Sequence, residues 1–258
     1  MFKKPFSYFF IIFIILSVFP LTVTAENISG DEVLLKVKEA RTADAASMTM
    51  IMELYNKAGD MRSRELKNRY LENGEEKSLI EFQSPADVAG TAFLSLKNKN
   101  SSEEDMYLYL PVLGSIRKIS GSQKNGDFVG SDLTYNDITV FSGGNFKDYY
   151  SGEILEENEK EYILRLTPTD NDIDYSYGRI WVRKDIYYPV QIEFYDQSEE
   201  LLKKVKLEAI EEIDGNWLSR KITVENVQKG SRTVMKMEDI DFNVELNEQI
   251  FTTRYLER

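Results

Sequence analysis

The chain has 258 residues, 42% of them apolar or aromatic, a formal net charge of −12, and neither His nor Cys. Those two absences exclude a Ser-His-Asp triad, a Cys-His nucleophile, zinc sites built on His or Cys, and an imidazole base working near neutral pH. With 14 Phe and 15 Tyr against 14 Gly and 6 Pro the chain has the makings of a packed globular domain, and its negative charge opposes binding to nucleic acid or to anionic lipid headgroups.

Residues 1–25 read as an export signal. Lys3 and Lys4 precede an apolar run from Phe6 to Phe19, Pro20 interrupts it, and Val23-Thr24-Ala25 supplies the small side chains expected before cleavage after Ala25. The mature part, residues 26–258, is expected to be one domain, because no linker rich in Pro, Gly or Ser divides it. Without Cys it carries neither a disulfide nor a lipidated Cys.

Ser29-Gly30-Asp31-Glu32 has the form of a capping box, and Val33, Leu34, Val37 and Ala40 follow at helical spacing. From Ala46 onward the period is two: Met48/Met50/Met52, Ile80/Phe82, Leu94/Leu96, Met106/Leu108, Leu164/Leu166, Ile192/Phe194, Val205/Leu207 and Met235/Met237. Strand follows strand with no room for crossover helices, which predicts an antiparallel meander of about ten to eleven strands. So wide a sheet curls and acquires a concave apolar face. The interval from Ile119 to Asp148 breaks the rhythm, and Ser131 to Ile138 reads as a short capped helix within a functional loop or lid.

The chemical signals are sparse. Asp132 and Asp137 could form a carboxylate pair for glycoside hydrolysis, or could simply cap a helix and face solvent. Arg62, Arg64, Lys67 and Arg69, interleaved with Glu65 and Glu72, read as the charged outer face of a strand. The Met stripes on two strands suit an interior that adapts to ligands of variable shape, and equally suit ordinary core packing.

A series of phrases then occurs in one order: Ile80-Glu81-Phe82, Ser84-Pro85, Ala89-Gly90-Thr91, Met106 to Pro111, Ile116-Arg117-Lys118-Ile119, and Gly130-Ser131-Asp132-Leu133-Thr134-Tyr135 through Ile138. It continues through Trp181-Val182, Pro189 to Asp196, Gly215-Asn216-Trp217 and Phe251-Thr252. From roughly Leu79 to Leu256 the chain thereby resembles the LolA-like outer-membrane lipoprotein-sorting family. The resemblance implies an unclosed β-barrel, mainly β, made by a single curved antiparallel sheet with an N-terminal helix and a short helical lid over the concave face. It also implies a periplasmic carrier of acylated cargo, lipoprotein or lipid, that works as a monomer with a membrane exporter or acceptor protein. Such a carrier needs no catalytic residue, cofactor, metal or nucleic acid. An envelope lipid sensor or an accessory subunit of an exporter is the alternative.

In that setting Met48, Met50, Met52, Ile80, Phe82, Leu94, Leu96, Leu108, Ile192, Phe194, Met235 and Met237 are the expected lipid-facing residues, since each lies on the apolar parity of its strand. In the lid, Leu133 and Ile138 are expected to point inward beside Tyr135, with Ser131 or Asp132 as N-cap. Arg117 is expected to hold the loop through its carbonyls or through Asp132.

Overall fold

The computed structural model describes residues 28–40, 43–98, 104–142 and 146–257, so the expected export signal lies outside the described residues. Helix α1 (Gly30–Glu39) is followed by strands β1 (Ala45–Tyr55), β2 (Met61–Glu72), β3 (Glu75–Ser84), β4 (Ala92–Asn98), β5 (Glu104–Leu110) and β6 (Ser115–Ile119). After helix α2 (Tyr135–Ser142) come β7 (Tyr150–Glu157), β8 (Glu161–Pro168), β9 (Tyr177–Arg183), β10 (Tyr188–Tyr195), β11 (Leu201–Ile213), β12 (Asn216–Asn226), β13 (Ser231–Asp241) and the short helix α3 (Thr253–Leu256).

All 13 strands belong to one antiparallel sheet in the order β6-β5-β4-β3-β2-β1-β13-β12-β11-β10-β9-β8-β7. The first and last strands pair with each other, so the two halves of the meander meet at β1 and β13. Their register sets Met50 opposite Met237 and Met52 opposite Met235, which brings the two Met stripes together. The sheet does not close into a barrel, because β6 and β7 are its two edges. That arrangement fixes the role of the chain between them. The described residues of that chain, 120–142 and 146–149, lie on the concave face, where Phe128, Leu133, Ile138 and Phe146 join the larger apolar cluster.

The strand count exceeds the expected ten to eleven for a physical reason. In β6 only Ile119 is buried, and in β7 only Tyr150. Edge strands bury few side chains and carry polar ones, so period two is faint in them.

Helix α1 forms as its capping box dictates: the Glu32 N–H donates to Ser29 Oγ at 3.2 Å and the Ser29 N–H to the Glu32 carboxylate at 2.6 Å. It covers the β7 edge at a contact that only glycine permits. A Cβ on Gly30 would lie 2.4 Å from the Gly152 carbonyl oxygen, and one on Gly152 would lie 2.8 Å from that of Gly30. Asp31 adds a bond from the Gly152 N–H at 2.8 Å, and that bond first, then Lys147, holds the Asp31 carboxyl below its ordinary pKa. Val33, Leu34 and Val37 are buried inward from this seam.

Two apolar clusters lie on opposite faces of the sheet. The larger fills the concave side and takes in α1, α2 and residues from all 13 strands, among them Met50, Met52, Phe82, Leu133 and Ile192. The smaller lies on the convex side, where Phe251 and Leu256 of the C-terminal segment cover Leu79, Ala92 and Leu94. Bonds from Asn73 and Lys77 to Glu248, at 2.8 and 3.0 Å, pin that segment down. Leu94 and Leu96, expected in the concave interior, therefore belong to the convex cluster. Strand β4 is apolar on both sides, and it is Phe93 that points to the larger core. Alternation within a strand covered on both faces does not distinguish inside from outside.

Candidate functional site: the covered concave face

The crossing segment seats its apolar side chains in the trough. Phe128 lies 5.9 Å from the ring of Phe82, 5.4 Å from that of Phe93 and 5.6 Å from that of Tyr135. Leu133 and Ile138 are buried. The helix itself starts later than expected. Thr134 caps it: the Asp137 N–H donates to Thr134 Oγ1 at 3.0 Å and the Thr134 N–H donates to Asp137 Oδ2 at 2.8 Å. This is a capping box with Asp in place of Glu, and Ser131 and Asp132 are not the N-cap. Ser131 Oγ instead receives the Leu133 N–H at 3.3 Å. The Asp132 carboxylate is bonded by the hydroxyls of Ser231 and Thr233 on β13.

The arginine that holds the loop is Arg64. Its guanidinium lies over the Phe82 ring, 5.7 Å from the centroid, and donates to the Val129 carbonyl. Val129 has φ of 48°, a left-handed conformation that a β-branched residue rarely adopts, so a strained turn is fixed from the strand beneath it. Arg117 is exposed and is not the residue bonded to this loop carbonyl. Hydrogen exchange separates the two. Arg64→Leu should speed exchange of amides in residues 126–133 by about tenfold or more, matching the loss of a charge-assisted bond, while Arg117→Leu should leave it unchanged.

A buried ion pair fastens the start of α2. Lys203 of β11 lies 2.8 Å from Asp137 Oδ2, and the two side chains are only 5% and 4% exposed. Tyr175 closes a triangle: Lys203 Nζ donates to its hydroxyl at 2.8 Å, and the hydroxyl reaches the Asp137 oxygens at 2.9 and 3.0 Å. Burial, reinforced by the Asp137 charge, pushes the Tyr175 phenol well above its ordinary pKa, so it stays a donor. The Tyr175 ring stacks on Phe194 at 4.4 Å. Asp137 is thus internal and paired, not the solvated residue its position suggested.

Farther along α2 the interior is unfilled. A cavity of about 120 Å³ lies between Val37 of α1, Val140 and Phe141 of α2, and the sheet at Met48, Leu218 and Met237. Its polar side chains are engaged elsewhere: Ser219 Oγ lies 2.7 Å from the Glu208 and Lys221 carbonyls and donates to one of them, and Asn216 Nδ2 donates to the Asp214 carbonyl at 3.1 Å. The lining seen by a guest is therefore mainly apolar. Of the twelve expected lipid-facing residues, Met48 and Met237 line this cavity. Met50, Met52, Ile80, Phe82, Leu108, Ile192, Phe194 and Met235 share the same concave core, and only Leu94 and Leu96 are separated from it.

Beside the cavity lies a polar cluster. Lys97 pairs with Asp148 at 2.6 Å and sits over the Tyr149 ring at 4.3 Å; the Tyr149 hydroxyl donates to Glu104 at 2.8 Å. Lys38 of α1 reaches Asp148 at 3.4 Å and Glu76 at 4.0 Å. Burial raises the Glu76 carboxyl above its ordinary pKa; Lys97 opposes the shift and Asp148 adds to it. A raised carboxyl favours the folded state below the unfolded value of about 4.3, and that contribution is lost as pH rises through the folded value. Glu76→Gln, always neutral, should therefore raise the denaturation midpoint near neutral pH, with the gain shrinking toward about pH 4.

Lys203, Tyr175 and Arg64 were missed as functional positions, though a signal for two of them existed. Lys203 occupies the parity of Val205 and Leu207, and Arg64 that of Leu66. A cation on the apolar parity of a strand has to find a partner inside.

With this geometry in hand, the chain can be set beside known proteins. A family model described only as that of an uncharacterized protein matches residues 74–258. A DUF1329 family protein from Desulfovibrio piger is 30% identical over 88% of this chain and 97% of its own, with a TM-score of 0.82. A protein domain assigned to outer membrane lipoprotein sorting, from Vibrio parahaemolyticus, is 30% identical over 89% of this chain and 98% of its own, also with a TM-score of 0.82. A LolA superfamily protein from Nitrosomonas europaea shares the fold at 23% identity, covering 89% of this chain and all of its own, with a TM-score of 0.71. No curated protein matches the chain. A family match over most of the sequence, joined to 30% identity along nearly the full length of two relatives, means that the chain belongs to the LolA-like outer-membrane lipoprotein-sorting family.

Proposed function

We propose that this protein is an exported carrier which holds the acyl chains of lipoprotein or other lipid cargo against its concave face and passes the cargo on toward the outer membrane. The observation that carries the reading is the apolar cavity between α1, α2 and the Met-lined strands, whose polar groups are already satisfied. The lipoprotein-sorting assignment of a 30% identical relative supports the choice of cargo. Transfer of each methylene from water is worth about 0.8 kcal/mol, so a long acyl chain needs a shelter that offsets on the order of 12 kcal/mol without trapping it. The trough does this by exchange. Val140 and Phe141 wall the cavity and compete with a guest that outgrows it, so loading and release differ little in free energy. Such a cycle makes and breaks no covalent bond. Asp132 and Asp137, the one pair considered for hydrolysis, are committed to Ser231, Thr233 and Lys203.

Mass spectrometry of lipid extracted from the natively purified mature protein tests the proposal. Acylated species recovered in stoichiometric amount from protein that travels alone support a carrier. Acylated species recovered only from a stable complex with a membrane protein favour the sensor or accessory reading, and absence of any acylated species contradicts both.

A further inference from the structure

The inference rests on the carrier reading and concerns where the chain enters. The two ends of the trough differ. At the end bearing the β1–β2 turn, the crossing segment is bonded through Arg64 to Val129, through Ser231 and Thr233 to Asp132, through Lys229 to Asp127 at 2.8 Å, and through Lys203 to Asp137. The strand residues that line the cavity lie toward the opposite end: Met48 early in β1, Tyr70 late in β2, Leu218 early in β12 and Met237 late in β13. Helix α2, with 8 residues and therefore about 12 Å long, runs from the bonded end to the cavity, where Val140 and Phe141 form part of the wall.

The cavity also has an aromatic rim. Trp217, Tyr188 and Phe242 line it and are half-buried, whereas Leu218, Met237 and Val37 behind them are buried. The Tyr188 hydroxyl is held by the Ser219 N–H at 2.9 Å, so its ring has a fixed orientation. Aromatic side chains with one face apolar and one edge wet suit a boundary between water and an apolar interior.

We infer that the methyl end of a fatty acyl chain enters this cavity through the rim of Trp217, Tyr188 and Phe242, while residues 126–137 keep their bonds to the strands. At about 120 Å³ the cavity is close in size to engineered apolar cavities of about 150 Å³ that stay dry and bind benzene, so it accepts the leading carbons of a chain. Further carbons displace Val140 and Phe141, which requires repacking of apolar side chains. Entry at the other end would require parting the buried Lys203–Asp137 pair and leaving both charges without their partner.

The chain has no Cys, so one engineered pair gives one defined cross-link. Asp132→Cys with Thr233→Cys replaces two side chains already bonded at 2.8 Å and locks the segment to β13. The probe is palmitic acid with a diazirine at its terminal carbon. The inference expects the oxidised and reduced forms to bind it with affinities within about twofold, and to label residues around Met48, Leu218 and Met237. Trp217→Arg should weaken binding about tenfold or more in both forms. Asp132→Ala, which removes the carboxylate bonds to Ser231 and Thr233 and so loosens the segment without any cross-link, should leave the association rate within about twofold and so provides a second readout. Loss of binding on oxidation with recovery on reduction, or a rate raised about tenfold by Asp132→Ala, would overturn entry at the rim while leaving the carrier reading intact. Failure of the wild-type protein to bind the probe would instead remove the carrier reading, and this inference with it.

Discussion

Lys203→Met should lower the free energy of unfolding by about 3–5 kcal/mol, because it leaves the Asp137 carboxylate buried without its cation. Tyr175 still donates to Asp137 in that variant, which places the loss toward the lower end of the range. Lys203→Met combined with Asp137→Leu should recover most of the loss, since a buried ion pair replaced by apolar residues of similar size is often neutral. Urea titrations of the two single variants and the double variant measure this directly, provided the slope stays constant. Equal stability of Lys203→Met and wild type would mean that the pair is hydrated and does not fasten α2.

Filling the cavity should separate binding from stability. Met237→Trp and Met48→Trp each place extra volume where about 120 Å³ is unfilled, so the fold should tolerate them better than a packed core would. Affinity for an acyl probe should fall about tenfold or more, which is about 1.4 kcal/mol. Leu94→Ala should behave in the opposite way. It removes a buried side chain on the convex face, at a cost of about 2–5 kcal/mol in stability, and should leave acyl affinity unchanged. Fluorescence titration beside a denaturation curve for each variant checks both halves, and a Leu94→Ala variant that stays folded but loses the probe would place the site on the wrong face.

How far the sequence led depended on whether a feature was local. The capping box at Ser29 and Glu32 involves residues three apart, and it forms as expected. Alternation at Met48/Met50/Met52 and Met235/Met237 located two strands, and the shared interior follows once β1 pairs with β13. The crossing segment was also legible, because a strand rhythm that stops for some thirty residues has to resume somewhere else in the sheet.

What stayed hidden depended on partners distant in sequence. Lys203 and Asp137 are 66 residues apart, and nothing near either names the other. Arg117 was favoured over Arg64 because it precedes the loop in the chain, yet Arg64 reaches the loop through space from a strand 65 residues away from Val129. Leu94 and Leu96 follow the parity rule faithfully and still face away from the trough, because the C-terminal segment covers the convex side there. The helix starts two to three residues after the expected cap: Asp132 is a strong cap former, but its carboxylate is drawn to Ser231 and Thr233, and Thr134 caps α2 in its place.

The central claim is that the concave face shelters an acyl chain and releases it unaltered. Loading the mature protein with an acylated peptide, adding acceptor vesicles with and without candidate membrane acceptor proteins, and following the position and integrity of the peptide tests it most directly. The account predicts an intact peptide that starts on the protein, ends in the vesicles, and moves more slowly from the Met237→Trp variant's wild-type counterpart than from the variant itself. A peptide that never associates with the protein, or one that is cleaved on it and spared by Asp132→Asn or Asp137→Asn, would contradict it.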